Sequence, residues 1–172
     1  LDKKEVVDGE TIIDLELRGN RADCYSILGI AREVGTSFQK KVRLPEILHL
    51  KEANIGVDLT IKSPFVKRAA LVRIKNTKIT RSPDWLRDRL KKAGLESINN
   101  LVDLTNYVMI ETGVPMHAFD ADKIGNTLEI RLAEDGETIT TFQGSSITLT
   151  RDDLVWAKGK TILSVAGAIG EK

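Results

Sequence analysis

From Leu128 onward the chain falls into short runs of alternating apolar and polar residues, and this rhythm constrains its fold more than any other feature. The runs are Leu128-Ile130-Leu132, Thr138-Thr140, Ile147-Leu149, Leu154-Trp156 and Ile162-Val165, with Gly136, Gly144 and Gly159 between them. Side chains of a strand alternate between faces, and glycine admits the backbone angles of a tight turn, so the series predicts an antiparallel sheet system with short connections. Two further strand-like runs precede it, Val57-Leu59-Ile61 and Ala70-Val72-Ile74, the second continuing toward Ile79.

Helix signals lie between these groups of strands. Ser82-Pro83-Asp84 offers a hydroxyl cap, a proline where a missing N–H is harmless, and an acid in the first turn. Trp85, Leu86 and Leu90 make its expected buried stripe, and Gly94 its end. A second helix is expected from Asn99 or Asn100, carrying Leu101, Leu104, Val108 and Met109 and stopped by Gly113-Val114-Pro115. Near the start, Thr11 to Arg18 alternates as a half-buried strand, and Asp23 is the candidate cap of a helix with apolar face Tyr25, Ile27, Leu28, Ala31 and Val34, Gly35 standing at its C′ position. The stretch from Thr36 to Asn54, with Pro45, reads as a connection, which predicts a boundary there: residues 1–54 as a strand-turn-helix unit with its connecting segment, and 55–172 as a second domain. Strands segregated from helices give the α+β class.

The composition is that of a globular protein, with 41% hydrophobic and 30% charged residues in 172. A net charge of +1 excludes a global field that would hold the chain on nucleic acid or an anionic membrane. The longest apolar stretches fall short of the roughly 20 residues that a spanning helix needs, and the start Leu1-Asp2-Lys3-Lys4-Glu5 lacks an apolar signal core, so neither membrane insertion nor secretion is expected. One cysteine, Cys24, forbids an internal disulfide, and with only His49 and His117 no Cys/His zinc site is expected; both facts suit a reducing cytosol. The chain opens on Leu and stops on a polar pair after an apolar Gly/Ala-rich run, the mark expected of a piece cut from something longer.

Charge is uneven along the chain. Between Lys62 and Lys92 stand Lys67, Arg68, Arg73, Lys75, Lys78, Arg81, Arg87, Arg89 and Lys91 against Asp84 and Asp88, while residues 111–153 lean acidic. Such a stretch either tracks a phosphate backbone or is a solvated surface. His117, in Gly113-Val114-Pro115-Met116-His117-Ala118-Phe119-Asp120, sits after a helix where it could hold a water or move a proton; a lone histidine of this kind is more commonly a hydrogen-bonded structural residue. Asn99, Asn100, Asp103, Thr105 and Asn106 offer polar groups that serve either a ligand or the capping of loops. The run Ser164 to Gly170 permits close backbone approach but lacks the glycine spacing and lysine of a phosphate loop. Cys24, in a helix beside Asp23, is expected to be an inert core thiol.

Several strings taken in order resemble the beta subunit of bacterial phenylalanyl-tRNA synthetases. They are Asn20-Arg21-Ala22-Asp23-Cys24, Leu28-Gly29-Ile30-Ala31-Arg32-Glu33-Val34, Ser82-Pro83-Asp84-Trp85-Leu86, the stretch from Ile98 to Met109, Pro115-Met116-His117-Ala118-Phe119-Asp120, Asp153-Leu154-Val155 and Ala166-Gly167-Ala168-Ile169-Gly170. The resemblance covers about Ile12 to Gly170 and implies the end of a B1 module followed by a B3/B4 domain, an α+β unit with antiparallel β-sandwich character and flanking helices. It implies editing, the hydrolysis of tyrosine mischarged onto tRNA(Phe), which is needed because a hydrophobic pocket rejects an added hydroxyl by only about a hundredfold. By motif position His117 matches the editing histidine, Thr105 and Asn106 match pocket residues, and Gly167 and Gly170 match the lining glycines. The implied partners are the alpha subunit, in a heterotetramer, and tRNA(Phe), in the cytoplasm. ATP and magnesium belong by resemblance to the complete synthetase, with no cofactor and no metal expected on this stretch.

Two departures bear on activity. Glu96 stands where the family usually has arginine, and the acid thought to recognise the tyrosine hydroxyl lies beyond Lys172, so this stretch alone is expected to be a poor deacylase. The alternatives are an RNA-binding or scaffold domain without hydrolysis and, less favoured because the first unit resembles an internal piece of the subunit, a freestanding deacylase.

Overall fold

The computed structural model describes residues 2–49, 51, 53–141, 144–167 and 169–170, the last two by their backbone. The elements in chain order are β1 (Lys3–Val7), β2 (Glu10–Asp14), a 3-10 turn (Ala22–Cys24), α1 (Ile27–Ser37), β3 (Asp58–Ile61), α2 (Asp84–Lys92), α3 (Asn100–Thr112), α4 (Ala121–Ile124), β4 (Thr127–Leu132), β5 (Thr138–Thr140), β6 (Ser146–Thr148), β7 (Leu154–Lys158), β8 (Thr161–Val165) and β9 (Ile169–Gly170). This is the expected α+β class. The chain forms two compact units that interleave in sequence, Leu1–Leu48 with Lys78–Met116, and His49–Thr77 with His117–Lys172.

The first unit holds the β1–β2 hairpin and three helices. The expected strand Thr11 to Arg18 is realised only in part, because antiparallel pairing ends at Lys3 opposite Asp14. Ser26, not Asp23, caps α1: its Oγ accepts from the Gly29 N–H at 2.9 Å. Asp23 is withdrawn from capping by Arg21, whose Nη2 donates to its carboxylate at 2.8 Å. Gly35 lies inside α1, which runs to Ser37, rather than past its end, and a Cβ there would stand 2.8 Å from Val42 and 2.9 Å from the Lys40 carbonyl. Helix α3 follows its sequence signals at both ends, with the Asn99 side chain accepting from Leu101 and Val102 and Gly113 in the left-handed region at φ +80°.

Helix α2 begins as expected, but the Ser82 hydroxyl makes no cap. It is buried and donates to the Asp103 carboxylate on α3. Leu86 and Leu90 are buried as expected; Trp85 is 54% exposed and sets its ring edge-on to Tyr107 of α3 at 5.7 Å.

The second unit is built on a five-stranded sheet in the order β3-β4-β7-β8-β9, with the β5–β6 hairpin beside it. The glycine-punctuated strands pair antiparallel, as their rhythm requires, while β3 runs parallel to β4, so the sheet is mixed. Val155, Ala157 and Ile162 from one sheet face close on Ile139, Leu149 and Ala133 to form the apolar core. The run from Ala70 to Ile79 forms no strand; Val72, Ile74 and Ile79 stay exposed. Alternation alone could not tell a paired strand from an unpaired one.

Candidate functional site

The sheet face opposite this core meets the loop that carries His117. Strand β7 presents Trp156 there, and the loop after Met116 lays Phe119 against it with ring centroids 5.7 Å apart. His117 stacks on Phe119 at 6.1 Å with planes 17° apart, which extends the row of rings to an imidazole. Asp120 then caps α4 by accepting from the Asp122 N–H at 3.0 Å, and this fixes the loop's exit. Following β8, Gly167 adopts φ +75°, a conformation that glycine takes without strain, and its N–H donates to His117 Nε2 at 2.9 Å.

That bond fixes the state of the ring. Nε2 must carry a lone pair to accept, so the imidazole is neutral with its proton on Nδ1. Half-burial acts in the same direction and lowers the His117 pKa below its ordinary value of 6.5. At neutral pH the residue therefore offers a single N–H donor, Nδ1, and no free lone pair.

The structure thus joins His117 to Gly167 across 50 residues of sequence. Gly170 lies in the same unit, in β9, paired with Ser164 of β8. Ala168 of the same run lies outside the described residues. Thr105 and Asn106 sit on α3 in the first unit, both half-buried. The Thr105 hydroxyl is already committed, donating to the Val102 carbonyl at 2.7 Å.

Asp103, two residues before Thr105, has a role that the sequence did not disclose. Its side chain is fully buried, and its carboxylate accepts from the hydroxyls of Ser82 and Ser97 and from the Ile98 N–H at 2.8 Å. Burial alone would raise its pKa, and these hydrogen bonds more than reverse that, holding the carboxyl below the usual 3.8. It clamps Ser82, just before α2, and the segment Ser97-Ile98 to α3. An acid in the first helical turn, four residues after an asparagine cap, was the only signal in the sequence.

Cys24 is a buried free thiol whose pKa is raised chiefly by burial. Its sulfur and the carboxylates of Asp23 and Glu33 lie within 4.8 Å of one another, the one cluster of potential metal ligands among the described residues. Arg21 already occupies it, bonded to Asp23, to Glu33 at 2.7 Å and to the sulfur at 3.1 Å. A magnesium ion would have to displace that guanidinium, so the cluster does not fit the metal. The basic stretch is partly neutralised, with Lys62 paired to Glu129, Arg87 to Asp84 at 3.0 Å and Lys92 to Glu10 at 3.0 Å. No helix among the described residues is long and apolar enough to cross a membrane.

Residues 66–172 match the B3/4 domain, and the chain belongs to that family. Its relatives are longer proteins of one kind. The chain is similar to the phenylalanine–tRNA ligase beta subunits of Fusobacterium nucleatum (41% identical over 166 residues, 94% of this chain and 21% of the relative), Carboxydothermus hydrogenoformans (43% over 163, 92% and 20%) and Vibrio cholerae (40% over 164, 94% and 21%). It therefore spans about a fifth of the length of the curated relatives that it matches.

Proposed function

We propose that this chain is the editing region of a phenylalanine–tRNA ligase beta subunit and that it hydrolyses tyrosine esterified to tRNA(Phe). The observation that carries the reading is the hydrogen bond from the Gly167 N–H to His117 Nε2. It brings together two residues that the family resemblance marks, beside the rings of Phe119 and Trp156.

The ring's protonation state defines what His117 does. With Nε2 engaged, it acts as a neutral donor through Nδ1–H, orienting the ester carbonyl or the attacking water rather than abstracting a proton. Gly167 contributes close backbone approach, and Gly170 lines the sheet edge beside it. Thr105 and Asn106 are assigned to ligand binding by their place in the family's string. Residues 55–172 are proposed as the editing domain and residues 1–54 as part of the preceding module. The alpha subunit and tRNA(Phe) are the proposed partners, in the cytosol. ATP and magnesium are assigned to other parts of the ligase, because the acidic cluster here is filled by arginine.

The test is hydrolysis of preformed tyrosyl-tRNA(Phe) by the complete ligase carrying His117→Ala. The rate should fall by about a hundredfold or more, the range for loss of one positioned hydrogen-bond donor at a reacting group. In the unaltered enzyme the rate should hold through neutral pH and fall only as the pH drops through a value below 6.5, where the imidazole charges and Nε2 can no longer accept. The scaffold reading predicts an unchanged rate on substitution.

A further inference from the structure

The first unit carries a basic surface for which the reading above has no use. Helix α1 ends in a reversal: the Lys40 N–H donates to the Gly35 carbonyl at 2.8 Å and the Gln39 N–H to the Thr36 carbonyl at 3.3 Å, which turns the chain back along the helix. Gly35 makes room for the returning segment, since a Cβ there would meet the Lys40 carbonyl and Val42. The reversal sets Lys40 and Lys41 beside Arg32 of the helix, around one shallow depression of about 400 Å3. All three side chains are exposed, and among the described residues no carboxylate lines the depression and none of the three makes an ion pair. Glu33, beside Arg32 in sequence, is held by Arg21 at 2.7 Å. Like charges gathered without a counter-charge repel one another, and a chain of net charge +1 has acids enough to pair them.

Gln39 supplies an independent observation. It stands at φ +52°, the left-handed position past a helix end that glycine takes without strain. A glutamine there carries a conformational cost that glycine would remove, and it also lines the depression. Cations past a helix C-terminus complement its dipole. That accounts neither for the strained glutamine nor for Arg32, which lies in the body of α1.

We infer that this depression binds the phosphate backbone of RNA, with Arg32, Lys40 and Lys41 on phosphate oxygens and the Gln39 amide donating to a phosphate or a ribose. The N–H groups of Phe38, Gln39 and Lys40 are all spent on helix carbonyls, so no backbone nest encloses a lone anion. What the surface offers is side-chain charge spread over an open face, which fits a row of phosphates laid across it. The RNA is the tRNA(Phe) of the proposed function, and the inference rests on that reading for the partner's identity alone. It places a backbone contact in the first unit, away from the residues assigned to hydrolysis.

The experiment measures the Kd of the complete ligase for tRNA(Phe) across a range of salt concentrations, with thermal unfolding alongside, for the unaltered enzyme, a Lys40→Gln, Lys41→Gln double variant and Gln39→Gly. The double variant should bind about tenfold more weakly at low salt, and the slope of log affinity against log salt should shrink by about 1.4 to 1.8, the counterions of two phosphate contacts. Gln39→Gly should bind about threefold more weakly with a Tm unchanged or raised, because it loses an amide contact and a strained residue together. Phosphate contacts carry no base information, so an unrelated tRNA should lose affinity by the same factor. An unchanged affinity and salt slope in the double variant, a loss confined to tRNA(Phe), or a lowered Tm in Gln39→Gly overturns the inference. A ligase that never hydrolyses tyrosyl-tRNA(Phe) overturns the editing reading instead and leaves these binding results to stand.

Discussion

Asp103 and His117 show how differently two ionisable groups can be held neutral or charged by what surrounds them. Asp103 is buried and makes no ion pair among the described residues, yet its carboxylate is favoured because hydroxyls and backbone N–H groups converge on it. Replacing it by asparagine substitutes an amide for a carboxylate that takes only donors, and should cost about 2 to 3 kcal/mol in unfolding free energy. The sign of its pH dependence follows from its lowered folded pKa. Its contribution is present above the unfolded value near 3.8 and is lost as the pH falls through the lower folded value, so Asp103→Asn should flatten the acid limb of a stability profile below about pH 4. Chemical denaturation from pH 2 to 7 measures both effects, and an unaltered acid limb would contradict the clamp. His117 is the reverse case, a group kept uncharged by half-burial and by a donor that needs its lone pair. Neither state was visible in the sequence, because each depends on partners supplied by distant segments.

At the scale of elements, what could be read was local. The asparagine cap and left-handed glycine of α3, and the glycine-punctuated strands β4 to β8, depend on a few neighbouring residues and formed where those residues stand. The parallel partner of β4 could not be read, since Asp58 to Ile61 carries no mark of which strand it will join. The apolar alternation from Ala70 to Ile79 was read as a strand and is not one, because burial requires a partner that alternation does not name. Ser82 had the right chemistry for a cap, and Asp103 took its hydroxyl instead. The candidate site was legible through resemblance and position for His117 and Gly167, whereas the bond between them and the aromatic row came only from the fold.

The junction of the 3-10 turn with α1 makes a further prediction at this scale. A Cβ on Gly29 would stand 1.9 Å from the Asp23 carbonyl oxygen, a backbone atom that has no flexible end to move aside. Gly29→Ala should therefore lower stability by about 1 to 3 kcal/mol, although alanine is the better helix former by about 1 kcal/mol at an unobstructed site. Thermal unfolding checks it, and a raised Tm would show that the turn does not press on the helix.

Across the whole molecule, the proposed site falls where a fixed sheet meets an irregular loop. Strands β7 and β8 hold Trp156 and Ser164 in register, while the loop carrying His117 and Phe119 is tied to them by one backbone N–H and one ring contact. The most direct measurement is a crystal structure of the complete ligase with a non-hydrolysable amide linking tyrosine to the 3′-terminal adenosine. The account predicts the tyrosine ring against Phe119 and Trp156, with the amide carbonyl facing the Nδ1 edge of His117. A ligand bound elsewhere, with this aromatic row unchanged and empty, would contradict it.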